Sequence, residues 1–495
     1  MSYLELLRLA APETGIVLTA LVVLTVDLTS MRGLGLRMRF LVGGLLTLAG
    51  CAAAVAWMLV LPVQAPALAG MFVVNPLTQI VKVCLLGLVM AAVLVSLEAG
   101  FTRHPAEFLA LLLFSSVGMM VLVSAADLLL IFVALELVSL PLYVLAGFDK
   151  ESRRAAEAAL KYFLFGATAA AFLLFGMSLV YGVTGATGLT AIGGVLGGQG
   201  VEPLLMVAVG MLTVGFGFKL AVVPFHLWVP DTYQGAPPAS AAFIASGSKL
   251  ACFFIFAKIM LLAFGAERLT GSADARALGG GWVSLLALLA ALSMVLGNLA
   301  ALVQSSVKRL LGCSAVAHAG YLLLGVLAHD ESALAAVVYY ATTYGLATIG
   351  AFGVVDLVEK QAGNDRRQGW VGFSRRAPLA ALAMMIFLFS LAGIPPLAGF
   401  FGKFYLFAAA LKTGGGSGEL LWLVVLAVLM SVVSFYYYLK VLKWIYLAPP
   451  VDDSAPVASG QPSRMAQCVL LVIALAVIAL GCFPNLLVGP LHAAR

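Results

Sequence analysis

Four charged residues stand where charge is least expected. Glu136, Lys219, Lys249 and Lys403 each lie deep inside a long apolar stretch. A carboxylate and several amines in a low-dielectric, hydrated interior have coupled proton affinities, so shifting a charge near one of them changes which group holds a proton. Lysine changes protonation state readily and arginine does not. No arginine occupies a central position in any of these stretches, which favours proton handling over anion binding. Fixing helix register would account for one Glu–Lys pair, but four central charges are too many for register alone. Lys161 sits about one turn from mid-depth and reads equally as a relay member or as a side chain snorkelling to the near surface. His226 and His318 are single histidines on apolar segments, ordinarily satisfied core residues; beside central lysines, a relay role stands level with that reading. Lys82 and Lys258 lie nearer the ends of their stretches and read as snorkelling. Asp27 and Asp356, also near ends, read as reaching headgroups. Tyr436, Tyr437 and Tyr438 read as packing or interface aromatics, with a relay role left open for one of them.

These residues must be held by membrane-spanning elements. The chain has 495 residues, 63% hydrophobic and only 10% charged, with a mean hydropathy of +1.10. Soluble domains carry roughly 25% charged residues, which excludes a cytosolic enzyme. The sequence pI near 9.0 does not indicate a nucleic-acid partner, because the basic residues are scattered. A spanning helix takes ~20 apolar residues, and apolar runs between charged or Gly/Pro breaks give fourteen candidates. They lie near 11–29, 38–61, 76–98, 106–124, 127–148, 156–184, 203–234, 239–264, 282–304, 312–329, 333–358, 378–411, 419–446 and 465–489. Continuous apolar runs indicate helices, since barrel strands alternate. The expected fold is an all-α polytopic membrane protein forming a single integral membrane domain over 1–495. N-terminal spans 1–3 occupy 1–105, a first repeat 106–264, a second repeat 282–446, and a C-terminal span 465–489. The longest polar connections, 359–377 and 448–464, are too short for an extramembrane domain. The start has no basic segment ahead of its apolar stretch, so no cleavable signal peptide is expected. The six cysteines lie in apolar runs without C-x-x-C spacing and read as buried small hydrophobes rather than metal ligands or disulfides.

Charge asymmetry sets an expected orientation. With the N-terminus outside, the inner loops hold 17 of the 28 basic residues and the outer segments 5. That bias fits the positive-inside rule with both termini outside, on the periplasmic side of a cell inner membrane. Two spans are overlong and carry breakers: span 7 at Pro224 and Pro230, and span 12 at Gly393, Pro395, Pro396 and Gly399. Proline removes a helical hydrogen bond, so both are expected to break within the bilayer. They are five spans apart, an odd number. Spans 4–8 and 9–13 therefore read as two five-helix repeats of opposite topology, each broken at its fourth member, an arrangement that marks ion sites.

The residues around these breaks resemble a known family. Gly217-Phe-Lys219, Pro224-Phe-His226-Leu-Trp228-Val-Pro230-Asp231 and Gly235-Ala-Pro237 are similar to the antiporter-like membrane subunits of proton-pumping NADH–quinone oxidoreductase, respiratory complex I. The likeness continues through Leu135–Pro141, Ser248-Lys249, Ser305–Leu311 and Ser390–Lys403, and among three such subunits the N type is most similar. The resemblance implies that Glu136 and Lys219 form an ion pair between spans 5 and 7, that Lys249 is the central connecting lysine, and that Lys403 lies nearest the outer exit. It gives Lys161, His226 and His318 supporting positions. It implies no cofactor in this chain, with flavin, iron–sulfur clusters, NADH and quinone on partner subunits. It also implies a hetero-oligomer with other membrane subunits and lipid. Two other readings are a subunit of a cation/proton antiporter complex and a scaffold helix bundle without an ion path.

Overall fold

The computed structural model describes residues 3–60, 65–98, 100–197, 203–265, 282–328, 331–412, 419–448 and 463–494. Among the described residues thirteen helices are long and apolar enough to cross a membrane, and with the two-part span 12 they follow the expected order of fourteen spans. Spans 1–6 are Ala11–Ser30, Leu36–Val60, Pro76–Ser96, Pro105–Ser124, Leu128–Ala146 and Arg153–Thr184. Span 7 is Pro203–Leu220 followed by the short helix Trp228–Gly235, and span 8 is Pro238–Leu262. Spans 9–11 are Trp282–Leu302, Val307–Leu327 and Glu331–Ala362. Span 12 is Pro378–Ala392 followed by Ala398–Lys412, and spans 13 and 14 are Leu421–Tyr446 and Arg464–Cys482. A small antiparallel ribbon pairs Ala65–Ala67 with Phe72–Val74 between spans 2 and 3. Most of the connection 448–464 lies outside the described residues.

Both predicted breaks are present, and their freed backbone groups find partners. In span 7 the Phe218 carbonyl accepts a hydrogen bond from the Trp228 indole at 3.2 Å, and the Val223 N–H donates to Ser293 Oγ on span 9 at 2.9 Å. In span 12 the Gly399 N–H donates to Ser390 Oγ at 3.1 Å, and the Ala392 carbonyl accepts from the Lys403 ammonium at 3.0 Å. Gly393 takes a positive φ of 91°, which a side chain would resist. In hydrocarbon such groups must be satisfied within the protein.

The two five-helix units repeat each other in detail. Asp127 caps the start of span 5 and makes an isolated backbone bridge to Gly188, just past span 6. Ser306 caps the start of span 10 and bridges Arg366, just past span 11. Spans 4 and 5 meet where Gly118 lies against the Val138 backbone, and a Cβ there would fall 2.7 Å from the Val138 nitrogen. Spans 9 and 10 meet the same way, at Gly297 against Ala317, with 2.6 Å to the nitrogen. These close approaches sit beside Glu136 and His318 respectively. Small residues let membrane helices approach closely, since lipid supplies no hydrophobic drive between them.

Burial sorts the spans by position. Span 10 is buried throughout its apolar window and spans 8 and 11 through most of theirs, whereas spans 1, 2, 6, 13 and 14 bury only about a third of theirs or less. Three sequence expectations are corrected here. Asp27 does not reach for headgroups; it is buried and binds the Arg39 guanidinium through both carboxylate oxygens. Lys82 does not snorkel; it is buried against Glu13. Cys468 and Cys482 are exposed, because span 14 lies on the outside of the bundle.

Candidate functional site

Lys219 ends the first half of span 7 and is only 9% exposed. Its ammonium reaches onto span 5, donating to Ser139 Oγ and, at 3.5 Å, to Tyr143 Oη. Ser139 and Tyr143 follow Glu136 at i+3 and i+7, so all three share one face of that helix. Oε1 of Glu136 is buried and takes no hydrogen bond among the described residues. Among the described residues the expected Glu136–Lys219 ion pair is not formed: the lysine's hydrogen-bond partners are the two hydroxyls that follow Glu136 on span 5. Their spacing from Glu136 was a usable signal that sequence reasoning missed. Beyond them an aromatic wall of Tyr143, Tyr162 and Trp228 closes the site, with Tyr162 stacked on Trp228 at 4.4 Å.

Lys249 lies mid-way along span 8 and is 2% exposed. Its ammonium donates to the Ala315 carbonyl on span 10 at 2.7 Å and sits 5.5 Å from the centre of the Tyr344 ring. Tyr344 packs against His318 at 4.8 Å between ring centres. His318 Nδ1 is hydrogen-bonded to Tyr340 Oη at 2.6 Å, and its Nε2 to Tyr438 Oη at 3.2 Å. The same imidazole meets the edge of Tyr321 at 5.7 Å. Lys403, 5% exposed in the second half of span 12, places its ammonium 5.0 Å from the centre of the Tyr321 ring. Lys249, Tyr344, His318, Tyr321 and Lys403 therefore form an unbroken line of contacts at mid-bundle. Asn298 and Tyr437 flank it, with Tyr437 donating to Asn298 Oδ1 at 3.0 Å and Asn298 Nδ2 to Tyr321 Oη at 3.2 Å.

The structure thus joins Lys219 to the span 5 helix that carries Glu136, and Lys249 to His318 and Lys403 through Tyr344 and Tyr321. Among the described residues no hydrogen bond joins the Lys219 group to the Lys249 group. Of the three tyrosines in span 13, Tyr437 and Tyr438 enter the interior, while Tyr436 is 65% exposed. Lys161 stands apart, with its side chain 38% exposed. It is paired with Glu157 at 2.6 Å and Asp231 at 2.7 Å. Asp231 also binds Arg309 of span 10 at 2.6 Å, so this cluster ties the first repeat to the second. His226 lies in the span 7 break, half-buried, with Nδ1 unpartnered. Among the described residues, no group of three or more His, Cys, Asp or Glu is placed to hold a metal.

Comparison with known proteins supplies a context for this arrangement. A model of the family described as NADH:quinone oxidoreductase/Mrp antiporter, TM matches residues 125–434. The chain is 48% identical to NADH-quinone oxidoreductase subunit N 2 of Acidobacterium capsulatum, over 98% of each chain. It is 36% identical to NADH-quinone oxidoreductase subunit N of Nitrosomonas europaea, covering 97% of this chain and 96% of that one. Among solved structures, a chain of respiratory complex I from Thermus thermophilus with bound Aureothin aligns with a TM-score of 0.74 and 34% identity. That alignment covers 98% of this chain and 100% of the other. A chain of the Mrp complex from a Dietzia species shares the fold, with a TM-score of 0.81 at 22% identity over 99% and 97% of the two chains.

Proposed function

The chain belongs to the NADH:quinone oxidoreductase/Mrp antiporter membrane family, and from that premise we propose that it is a proton-translocating, antiporter-like subunit N of respiratory complex I. It carries protons across the membrane while partner subunits reduce quinone. The observation that carries this reading is the line from Lys249 through His318 to Lys403. It is a buried set of titratable groups at the depth where each charge costs at least ~2.5–3.5 kcal/mol.

Each group has a role in that line. Lys219 holds a proton against the Ser139 and Tyr143 hydroxyls, with Glu136 one turn away on the same helix face. A charge arriving near Glu136 changes the field at Lys219 and so its hold on the proton. Lys249 passes a proton toward His318, whose two ring nitrogens both meet tyrosine hydroxyls and can accept on one side while releasing on the other. Lys403 receives it beside the opened carbonyls of span 12. Gaps wider than a direct hydrogen bond are crossed through water, which transfers protons over such distances. Lys161, paired with Glu157 and Asp231, and His226, in the span 7 break, serve as supporting groups.

Flavin, iron–sulfur clusters, NADH and quinone belong to partner subunits, so redox energy reaches this chain through its contacts with them. The chain lies in the cell inner membrane with both termini on the periplasmic side, as its loop charges favour. The decisive experiment is proton pumping by the purified complex in proteoliposomes. Lys219→Ala and Lys403→Ala complexes that assemble normally are expected to lose pumping. Normal pumping by either variant overturns the reading. Mass spectrometry of co-purifying subunits separates this assignment from membership in a cation/proton antiporter complex, which would lack NADH-oxidising partners.

A further inference from the structure

A second set of buried charges lies outside the line just described. Glu13, in the first turn of span 1, and Lys82, in the second turn of span 3, form an ion pair at 2.5 Å, with side chains 6% and 2% exposed. The Lys82 ammonium sits 5.0 Å from the centre of the Phe72 ring. Phe72 bridges Ala125 through the backbone, and the Ala125 carbonyl accepts a 2.7 Å hydrogen bond from Lys258 of span 8. Next to Ala125 the Ser124 hydroxyl is buried and unpartnered. On its other side Lys82 lines a crevice with Pro12, Gln79, Trp57 and the exposed Arg8.

All these groups gather at one end of the bundle, where spans 1 and 3 begin and spans 4 and 8 finish. Span 8 is also the helix that carries Lys249. Replacing a buried ion pair by well-packed apolar residues is often neutral or stabilising. Packing alone therefore gives no reason for Glu13 and Lys82 to be charged. Both also fall outside the residues that the family model matches.

We infer that Glu13, Lys82 and Lys258 form a proton branch that joins the interior at span 8 to the face of the bundle carrying the N-terminus. The inference rests on the proton-carrying role proposed above. Lys258 gives up a proton through water beside Ser124 to a Lys82 left neutral by the previous turn, so that one ammonium N–H breaks as the other forms and the ion pair with Glu13 is restored. Lys82 then protonates the Glu13 carboxylate, an N–H breaking as an O–H forms. The carboxylic acid releases the proton to water in the crevice beside Arg8 and returns to its anion.

The test is the number of protons moved per NADH oxidised, measured with the whole complex in proteoliposomes. Glu13→Gln combined with Lys82→Met removes both charges and leaves neither uncompensated, and is expected to lower the ratio with electron transfer still running. Lys258→Met is expected to lower it likewise. Lys82→Arg keeps the charge and the pairing but holds its proton, so it too should lower the ratio, and it stands in if the double variant fails to assemble. A wild-type ratio in Lys82→Arg overturns the branch, whatever the other variants do. Lys219→Ala run alongside separates the two ideas. If it pumps normally, the parent reading fails; if it alone loses pumping, only the branch fails.

Discussion

His318 is the residue on which the second half of the proposed path depends, because both of its ring nitrogens are engaged and its ring touches Tyr344 and Tyr321. His318→Phe preserves a flat ring among those tyrosines and deletes both nitrogens. A positioned acid–base group contributes roughly 10²–10⁴-fold to a proton transfer, so the assembled variant should pump at about a hundredth of the normal rate or less. Proteoliposome acidification measures this directly. Around Lys219 two hydroxyls compete for importance, and the 3.5 Å bond to Tyr143 is at the weak limit of hydrogen bonding. Ser139→Ala should therefore impair pumping more than Tyr143→Phe, read in the same assay. Glu136→Gln should impair it too, since it removes the one central carboxylate. The charged members of this set were readable from sequence because a charge in an apolar run has a cost that demands a reason. The tyrosines around His318 were not, since an aromatic in a membrane helix is equally at home in packing. Lys82 misled for a related reason: near a helix end, a lysine bound for the surface and one bound for Glu13 of another span look alike.

At the scale of elements, the breaks in spans 7 and 12 were legible because proline and glycine act locally on the backbone they occupy. What caps them was not legible. Ser293 lies on span 9, seventy positions from the Val223 N–H it accepts from, and only packing brings the two together. Ser293→Ala leaves that N–H buried without a partner, which costs about 1–3 kcal/mol. The purified complex carrying it should show a lower midpoint for unfolding of this subunit by thermal denaturation, and an unchanged midpoint would show that the break is held by other contacts. Helix facing was hidden for a general reason. In a soluble protein the apolar stripe reveals the buried side, but lipid-facing and core-facing sides are both apolar here, so periodicity carries little. The inverted repeat was visible only through the two breaks. The matched bridges Asp127–Gly188 and Ser306–Arg366, and the matched Gly118 and Gly297 contacts, required coordinates.

At the scale of the whole molecule, fourteen crossings put both chain ends on one face of the membrane. The proposed orientation, which the loop charges favour, puts that face outside, and a membrane-impermeant thiol reagent tests it. A cysteine replacing the exposed Arg8 should be labelled in intact cells whose outer membrane is permeable to the reagent. Labelling only after the cells are opened would reverse the orientation. The bundle also has a radial order: span 10 is buried along its whole apolar window while spans 1, 2, 6, 13 and 14 are the least buried. That order conflicts with the direction of synthesis. Span 10 carries His318 and Ser314, whose tyrosine partners lie on spans 11 and 13. On leaving the ribosome it meets lipid before those partners exist. A nascent chain stalled after span 10 should accordingly be held at the insertion machinery or destroyed by membrane proteases, whereas one stalled after span 13 should survive. The polar residues proposed to carry protons through the interior would also make the unfinished protein a substrate for quality control.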